Sequence, residues 1–213
     1  ENGAGLLVMC TEDNEAQMVV RNCTFRRNRA IGDTGGGVFT SNARVSFFNT
    51  QFLRNSGEDS GGAIDSDNSR IRVSRCTFLG NFTDTGSGAG ISSRDSRLNI
   101  DNSLFALNSA ETSGGAIYAL TSNLNISNST FTENRASSYE AIDTDQNKNG
   151  RIVNCIFWDH NNDPDIFPND PSQSNLRDPD NKFIVTYSLL EFGKAGTGNI
   201  DADPLFTNPD SLD

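Results

Sequence analysis

The segment Gly61-Gly62-Ala63-Ile64 and the Phe78-x-x-Asn81 that follows it recur along most of the chain. The first has counterparts in Gly36-Gly37-Val38-Phe39, Gly88-Ala89-Gly90-Ile91, Gly114-Gly115-Ala116-Ile117 and, degraded, Tyr139-Glu140-Ala141-Ile142. The second returns as Phe25/Asn28, Phe52/Asn55, Phe105/Asn108 and Phe131/Asn134, and only its phenylalanine survives at Phe157. Successive phenylalanines lie 27, 26, 27, 26 and 26 residues apart. A fixed period of that length restricts the chain to a repeat architecture, in which each unit buries its apolar side against the next.

Aligned on the phenylalanine, each copy alternates upstream of it. The residues seven and five positions earlier are Met18/Val20, Val45/Phe47, Ile71/Val73, Leu98/Ile100, Leu124/Ile126 and Gly150/Ile152, set among polar residues such as Arg44, Ser46, Arg70, Arg72, Asn99 and Asn125. Period-two alternation predicts a strand with one buried face. Three residues before the phenylalanine stands Asn22, Asn49, Arg75, Asn102, Asn128 or Asn154. Asparagine tolerates a left-handed bend and can bond its own backbone there. The phenylalanine then begins a second strand. The Gly-Gly-Ala-Ile segment supplies a third, with Ile64 and its equivalents inward and Ser66, Ser93, Ala119 and Thr144 behind them.

Three short strands and three bends per period describe one turn of a parallel β-helix. The expected fold is therefore all-β, a single-stranded solenoid of about six to seven turns of roughly 26 residues. Stacking would create aliphatic, phenylalanine and asparagine ladders, with Asn22 and Asn128 placed in the inner one. An α-solenoid would need 3.6-residue periodicity, which is missing here.

The organisation reads as one domain in three stretches. Residues 1–157 are the turns. Residues 158–182 hold Pro164, Pro168, Pro171 and Pro179 among Asp and Asn and read as a loop insertion. Residues 183–213 begin with Phe183-x-Val185-x-x-Ser188-x-Leu190, which restores the register 33 residues after the Phe157 copy, and end as a C-terminal cap. Gly3-Ala4-Gly5-Leu6 aligns with Gly88-Ala89-Gly90-Ile91, so the chain is expected to be part of a longer protein with adjoining domains.

A hydrophobic content of 34% suits a thin core shared between turns rather than a thick globular one. The net charge of -11 speaks against nucleic acid and anionic membranes as main partners and is compatible with divalent cations. No apolar run approaches the ~20 residues of a membrane helix. Cys23, Cys76 and Cys155 each lie two residues before a repeat phenylalanine. Cys23 and Cys76 would then sit two coils apart, roughly 10 Å, beyond the about 7 Å that a disulfide spans. Buried thiols are expected there, with Cys10–Cys23 the one pair left open.

Gly-Gly-Ala-Ile paired with Phe-x-x-Asn resembles the repeat of the chlamydial polymorphic outer membrane proteins and related right-handed parallel β-helix surface proteins. The tail Val185-Thr186-Tyr187-Ser188, followed by Gly196-Thr197-Gly198-Asn199-Ile200-Asp201-Ala202-Asp203-Pro204-Leu205-Phe206, is similar to a segment near the ends of secreted bacterial β-helix proteins. The resemblance covers nearly the whole chain. It implies a right-handed coil at the cell surface or outside the cell. Such proteins include adhesins, autotransporter passengers, polysaccharide lyases and hydrolases, so fold does not choose among them.

Among residues that might carry chemistry, Asp65 and Asp67 lie two apart on one strand and point the same way. Arg94 aligns with Asp67 one turn along, and Asp143/Asp145 repeat the pair. A lyase of this shape would hold calcium with acids against a sugar carboxylate and use Arg as base, so Asp65, Asp67 and Arg94 are the catalytic candidates. The competing reading is a solvated ion pair of little energetic weight, both aspartates being expected to be exposed with no apolar wall. Asp143-Thr-Asp145-Gln-Asn147-Lys-Asn149-Gly150 resembles the front of a calcium loop but lacks its glycine at position six and its glutamate at twelve. Asp143, Asp145, Asn147 and Asn149 are the metal candidates, and calcium is the one cofactor considered. Asp159, Asp163, Asp165 and Asp170 form a vaguer cation candidate, and His160, the only histidine, reads as a loop residue. Arg44, Arg70 and Arg97 form a column suited either to acidic glycans or to balancing nearby acids. Sequons at Asn22, Asn81, Asn125 and Asn128 read as chance in a Ser/Asn-rich repeat, with Asn22 and Asn128 too enclosed for a glycan. The resulting expectation is a non-enzymatic structural or adhesive module whose partners are glycans or cell-surface proteins. The alternative is a carbohydrate-active enzyme on acidic polysaccharide.

Overall fold

The computed structural model describes residues 5–11, 15–32, 34–146, 149–158, 176–177, 183–191 and 195–204. The described residues form parallel sheets with no helix. The first sheet stacks Leu6–Met9, Val38–Ser41, Ile64–Asp67, Ile91–Arg94, Ile117–Leu120 and Ile142–Asp145. The second stacks Ala16–Arg21, Ala43–Phe48, Arg70–Ser74, Arg97–Asp101, Asn123–Ser127, Asn149–Val153 and Phe183–Thr186. The third runs from Thr24–Arg26 through Gln51–Leu53, Thr77–Leu79, Leu104–Ala106, Thr130–Thr132 and Ile156–Trp158 to Leu189–Leu190. A small fourth sheet of two-residue strands, Arg29–Ala30, Ser56–Gly57 and Phe82–Thr83, follows the third and was not foreseen. From Leu6 to Ile142 the chain completes about five regular turns, slightly fewer than expected. The remaining strands make partial turns around the interruption after Trp158.

Register follows the repeat. Phe25, Phe52, Phe78, Phe105, Phe131 and Phe157 stand in one interior file, with ring centroids 5.1, 4.6, 4.4, 4.9 and 4.7 Å apart and interplanar angles of 4–9°. The five from Phe52 onward are fully buried. Truncating one of these rings to alanine would cost about 3–5 kcal/mol. Phe157 pairs with Leu190 and Ile152 with Val185, which fixes the register across the insertion. Of the insertion over residues 158–182, residues 159–175 and 178–182 lie outside the described residues, as do Asn147, His160 and the Asp159, Asp163, Asp165 and Asp170 group.

The corners are left-handed residues in columns. Asn22, Asn49, Arg75, Asn102, Asn128 and Asn154 have φ of 47–54°, as foreseen. A further column, Arg27, Arg54, Gly80, Leu107 and Glu133, turns the chain from the third sheet toward the fourth. Non-glycine residues pay roughly 1–2 kcal/mol for this conformation, offset where each corner amide donates to the next coil, as Asn49 does to the Phe48-equivalent Ser74 carbonyl at 3.1 Å. Gly61 has φ of 58°, and a Cβ on Gly62 would lie 2.4 Å from the Phe82 carbonyl oxygen, so coils could not approach with a side chain there.

Two asparagine ladders exist, and the expected placement is corrected. Asn22 and Asn128 are exposed at the bend, where Asn49 Nδ2 donates to Asn22 Oδ1 and Asn154 Nδ2 donates to Asn128 Oδ1. The inner ladder is the Phe-x-x-Asn column: Asn55, Asn81, Asn108 and Asn134 are fully buried. Enclosure therefore cannot exclude a glycan at Asn22 or Asn128. The bend residue after a left-handed corner must instead be small, because its side chain receives the backbone amide of the preceding coil. Ser103 Oγ accepts from Cys76 N, and Ser129 Oγ from Ser103 N, both at 3.1 Å.

The cysteines divide by position. Cys76 and Cys155 are buried as expected, and burial pushes the Cys155 thiol up to about 11. Cys23 is exposed, contrary to expectation, at the corner of the first described coil. None of the four, Cys10 included, is in a disulfide.

Candidate functional site

The outer face of the first sheet carries the acids singled out in the sequence. Asp65 pairs in register with Ser92, and Asp67 with Arg94. Asp65 is not the freely exposed carboxylate expected. It is half-buried, and that burial raises its carboxyl above the usual range against hydrogen bonds from Thr34, Ser92 and the Ser66 amide. The segment entering the first sheet folds over this column, which alternation alone does not reveal.

Asp143 and Asp145 continue the same two columns, pairing with Tyr118 and Leu120. Asp143 is 2% exposed, and burial raises its carboxyl despite Ser113 and Arg177. Arg177 reaches both acids, with Nη1 at 3.3 Å from Asp143 and Nη2 at 3.9 Å from Asp145. Its backbone extends the sheet: Arg177 N donates to Ile142 O at 2.9 Å, and Thr144 Oγ1 to Arg177 O at 2.6 Å. The two carboxylates thus face an internal cation. Asn149 opens the neighbouring strand of the second sheet, so the linear calcium-loop pattern is split across a corner. Among the described residues no three acidic, histidine or cysteine side chains gather to hold a metal.

A groove of about 610 Å³ lies elsewhere, on the outer face of the second sheet. Four coils contribute Arg72, Asn99, Asp101, Asn125, Ser127 and Arg151. Arg72, Asn99, Asn125 and Arg151 are register partners and form one outward column along the solenoid axis. Asn125 Nδ2 donates to Asn99 Oδ1 at 3.2 Å, and both side chains are exposed. Beside them Asp101 accepts from Asn128 Nδ2 at 2.9 Å, Ser127 Oγ at 3.0 Å and Asn102 Nδ2 at 2.6 Å. Partial burial alone would raise this carboxyl, but those bonds and the Arg72 charge hold it below its usual range. The groove was not identified as a site from the sequence, because its members are the ordinary polar half of an alternating strand. The only available signal was that identical spacing brings Arg72 and Arg151 into one column.

Chemically, the first-sheet face offers carboxyls already engaged by internal donors. The second-sheet face offers an open line of cations and amides at one set per coil, roughly 4.8 Å.

Neither a search of curated proteins nor a search of solved structures returned a match. The sequence model of the family described as right handed beta helix region matches residues 1–111. With the register-stacked parallel coils, this match makes the chain a member of the right-handed β-helix family.

Proposed function

We propose that this chain is a non-enzymatic structural and adhesive module of a secreted or cell-surface protein, and that it contacts glycans through the second-sheet groove. The observation that carries the reading is the axial column Arg72–Asn99–Asn125–Arg151, whose spacing presents one polar side chain per coil to an extended ligand. Planar amides and a fixed carboxylate acceptor suit the alternating donors and acceptors of sugar hydroxyls. A solenoid whose strands pair coil on coil also suits a spacer that presents such a face at a distance. Titrating the intact chain against a broad glycan panel, with binding and product release followed together, tests this. Binding without turnover is the expected result, and hydrolysis or elimination products would overturn it.

A second reading has one observation in its favour: the half-buried Asp65 carboxyl, raised by desolvation, lies two residues along the strand from the Asp67–Arg94 register pair. A carboxyl raised by burial beside a cation is an arrangement used in acid–base chemistry on acidic polysaccharides. That reading requires a calcium-dependent rise in ultraviolet absorbance as unsaturated uronates form, abolished by Asp65→Asn.

A further inference from the structure

The second sheet is charged against the grain of the molecule. Its strands carry Arg21, Arg44, Arg70, Arg72, Arg97 and Arg151 and one acid, Asp101, in a chain whose net charge is -11. Arg44, Arg70 and Arg97 are direct register partners on three successive coils, so like charges stack at roughly 4.8 Å. Glu15 answers part of this, 2.9 Å from Arg44 and 3.7 Å from Arg70. Arg97 and Arg151 have no ion pair among the described residues. Like charges directly opposite on neighbouring strands destabilise a sheet, and an anion laid across them removes that cost.

We infer that the groove and its arginine margin bind a linear anionic polysaccharide, lying along the solenoid axis with its carboxylate or sulfate groups on the arginines and its hydroxyls on Asn99, Asn125 and Asp101. This rests on the glycan-contact reading and adds the substrate class. The geometry supplies each part. Arg72 and Arg151 are three coil steps apart, about 14 Å, so an occupant that meets both must be extended. Arg70 and Arg97 stand two positions before Arg72 and Asn99 on two of the four coils, so anionic groups along that side of the occupant meet a guanidinium, while Asp101 and Ser127 line the other side. Guanidinium favours bidentate contact with carboxylate and sulfate alike. Asp101 discriminates by class: an ionised carboxylate, already accepting from Asn128, Ser127 and Asn102, repels bare polyanions and has only its remaining lone pairs to offer a hydroxyl donor of the ligand. A polyanion without hydroxyls, such as an acidic peptide, satisfies the arginines and leaves Asp101 opposed. The Phe48 ring meets the guanidinium groups of both Arg21, at 4.3 Å, and Arg72, at 5.6 Å.

The test uses the intact chain in titration calorimetry against four probes: oligogalacturonate, heparin oligosaccharides, neutral cello-oligosaccharides and poly-glutamate of matched charge. Binding of one or both acidic glycans is expected, weakening as salt is raised. The double variants Arg72→Gln/Arg151→Gln and Arg70→Gln/Arg97→Gln should weaken it about tenfold or more, while Arg135→Gln, on another face, leaves it unchanged. All these arginines are exposed, so unaltered thermal melting is the check that each variant is folded. The oligogalacturonate and heparin arms separate carboxylate from sulfate as the anionic group. Equal binding of neutral oligosaccharides, insensitive to the arginine variants, would overturn this inference and leave glycan contact standing. Tighter binding of poly-glutamate would overturn the sugar class, and acidic-glycan binding untouched by the sheet variants would overturn the site. If no glycan binds at all, both readings fall.

Discussion

Asn81 shows how much one side chain does in a stacked coil. Its Oδ1 accepts from the Asn55 backbone amide and from Asn55 Nδ2, and its Nδ2 donates to Phe52 O and to Asn108 Oδ1, all within 2.9–3.0 Å and away from water. Asn81→Ala strands buried donors and acceptors on both neighbouring coils and should cost about 3–4 kcal/mol in urea denaturation. Asn28→Ala, at the half-buried end of the same ladder, should cost about 1 kcal/mol. Equal losses would mean that the ladder carries no cooperative weight. The recurrence of both asparagine columns was plain in the sequence, but which one faces inward was not. Residues three before and three after the phenylalanine are alike in polarity, and only the corner geometry separates them. Glu140 is the opposite case, a buried acid where other copies have glycine or alanine. Its Oε2 is buried without a hydrogen-bond partner, and desolvation, with the Glu191 charge, raises its carboxyl to about 8. A raised acid favours the folded state below its unfolded value near 4.5, and that contribution is lost as pH climbs through 8. The loss is at most about 4–5 kcal/mol. Glu140→Gln should therefore flatten the fall in melting temperature between pH 5 and 8.5, as scanning calorimetry would show, changing stability least at the acid end.

Elements in this molecule are complementary rather than identical copies. Gly150 occupies the column held by Leu98 and Leu124, and the Phe183 ring of the next strand fills the space: a Cβ on Gly150 would lie 2.1 Å from its Cε1. The repeat-consensus change Gly150→Leu should accordingly destabilise the chain by about 1–3 kcal/mol, and Phe183→Val in the same chain should recover part of the loss. Additive losses in that double-mutant cycle would contradict the packing. The sequence put both residues in register without revealing that one fills the other's gap, since alignment reports positions and not volumes. Arg177 is another such substitution, a cation supplied by an edge segment to two acids that matched part of a calcium loop. Arg177→Gln exposes Asp143 and Asp145 to one another, so added calcium should raise the melting temperature of that variant more than that of the parent. An equal response in both would show that Arg177 does not compete with a cation there.

At the scale of the whole rod, stability depends on how many neighbours a coil has, because backbone pairing and core stacking join only directly adjacent coils. Equivalent amides make this measurable. Asn22 N bonds Phe48 O at 3.1 Å and Arg27 N bonds Leu53 O at 3.0 Å, while two coils along Arg75 N bonds Asp101 O at 3.1 Å and Gly80 N bonds Ala106 O at 3.0 Å. The bonds are the same in kind and length. Their surroundings differ, since Phe25 is only partly buried and Met18 is exposed in the first coil, whereas their equivalents Phe78 and Ile71 are sealed. Fraying of one coil at an end breaks a single inter-coil interface, but opening a central coil breaks two. Native-state hydrogen exchange should thus find Asn22 and Arg27 exchanging through local opening well below the urea midpoint, and Arg75 and Gly80 only through global unfolding. If all four amides converge on one opening free energy, the chain unfolds as a single block, and the nearest-neighbour description that explains its fold from its period would have to be given up.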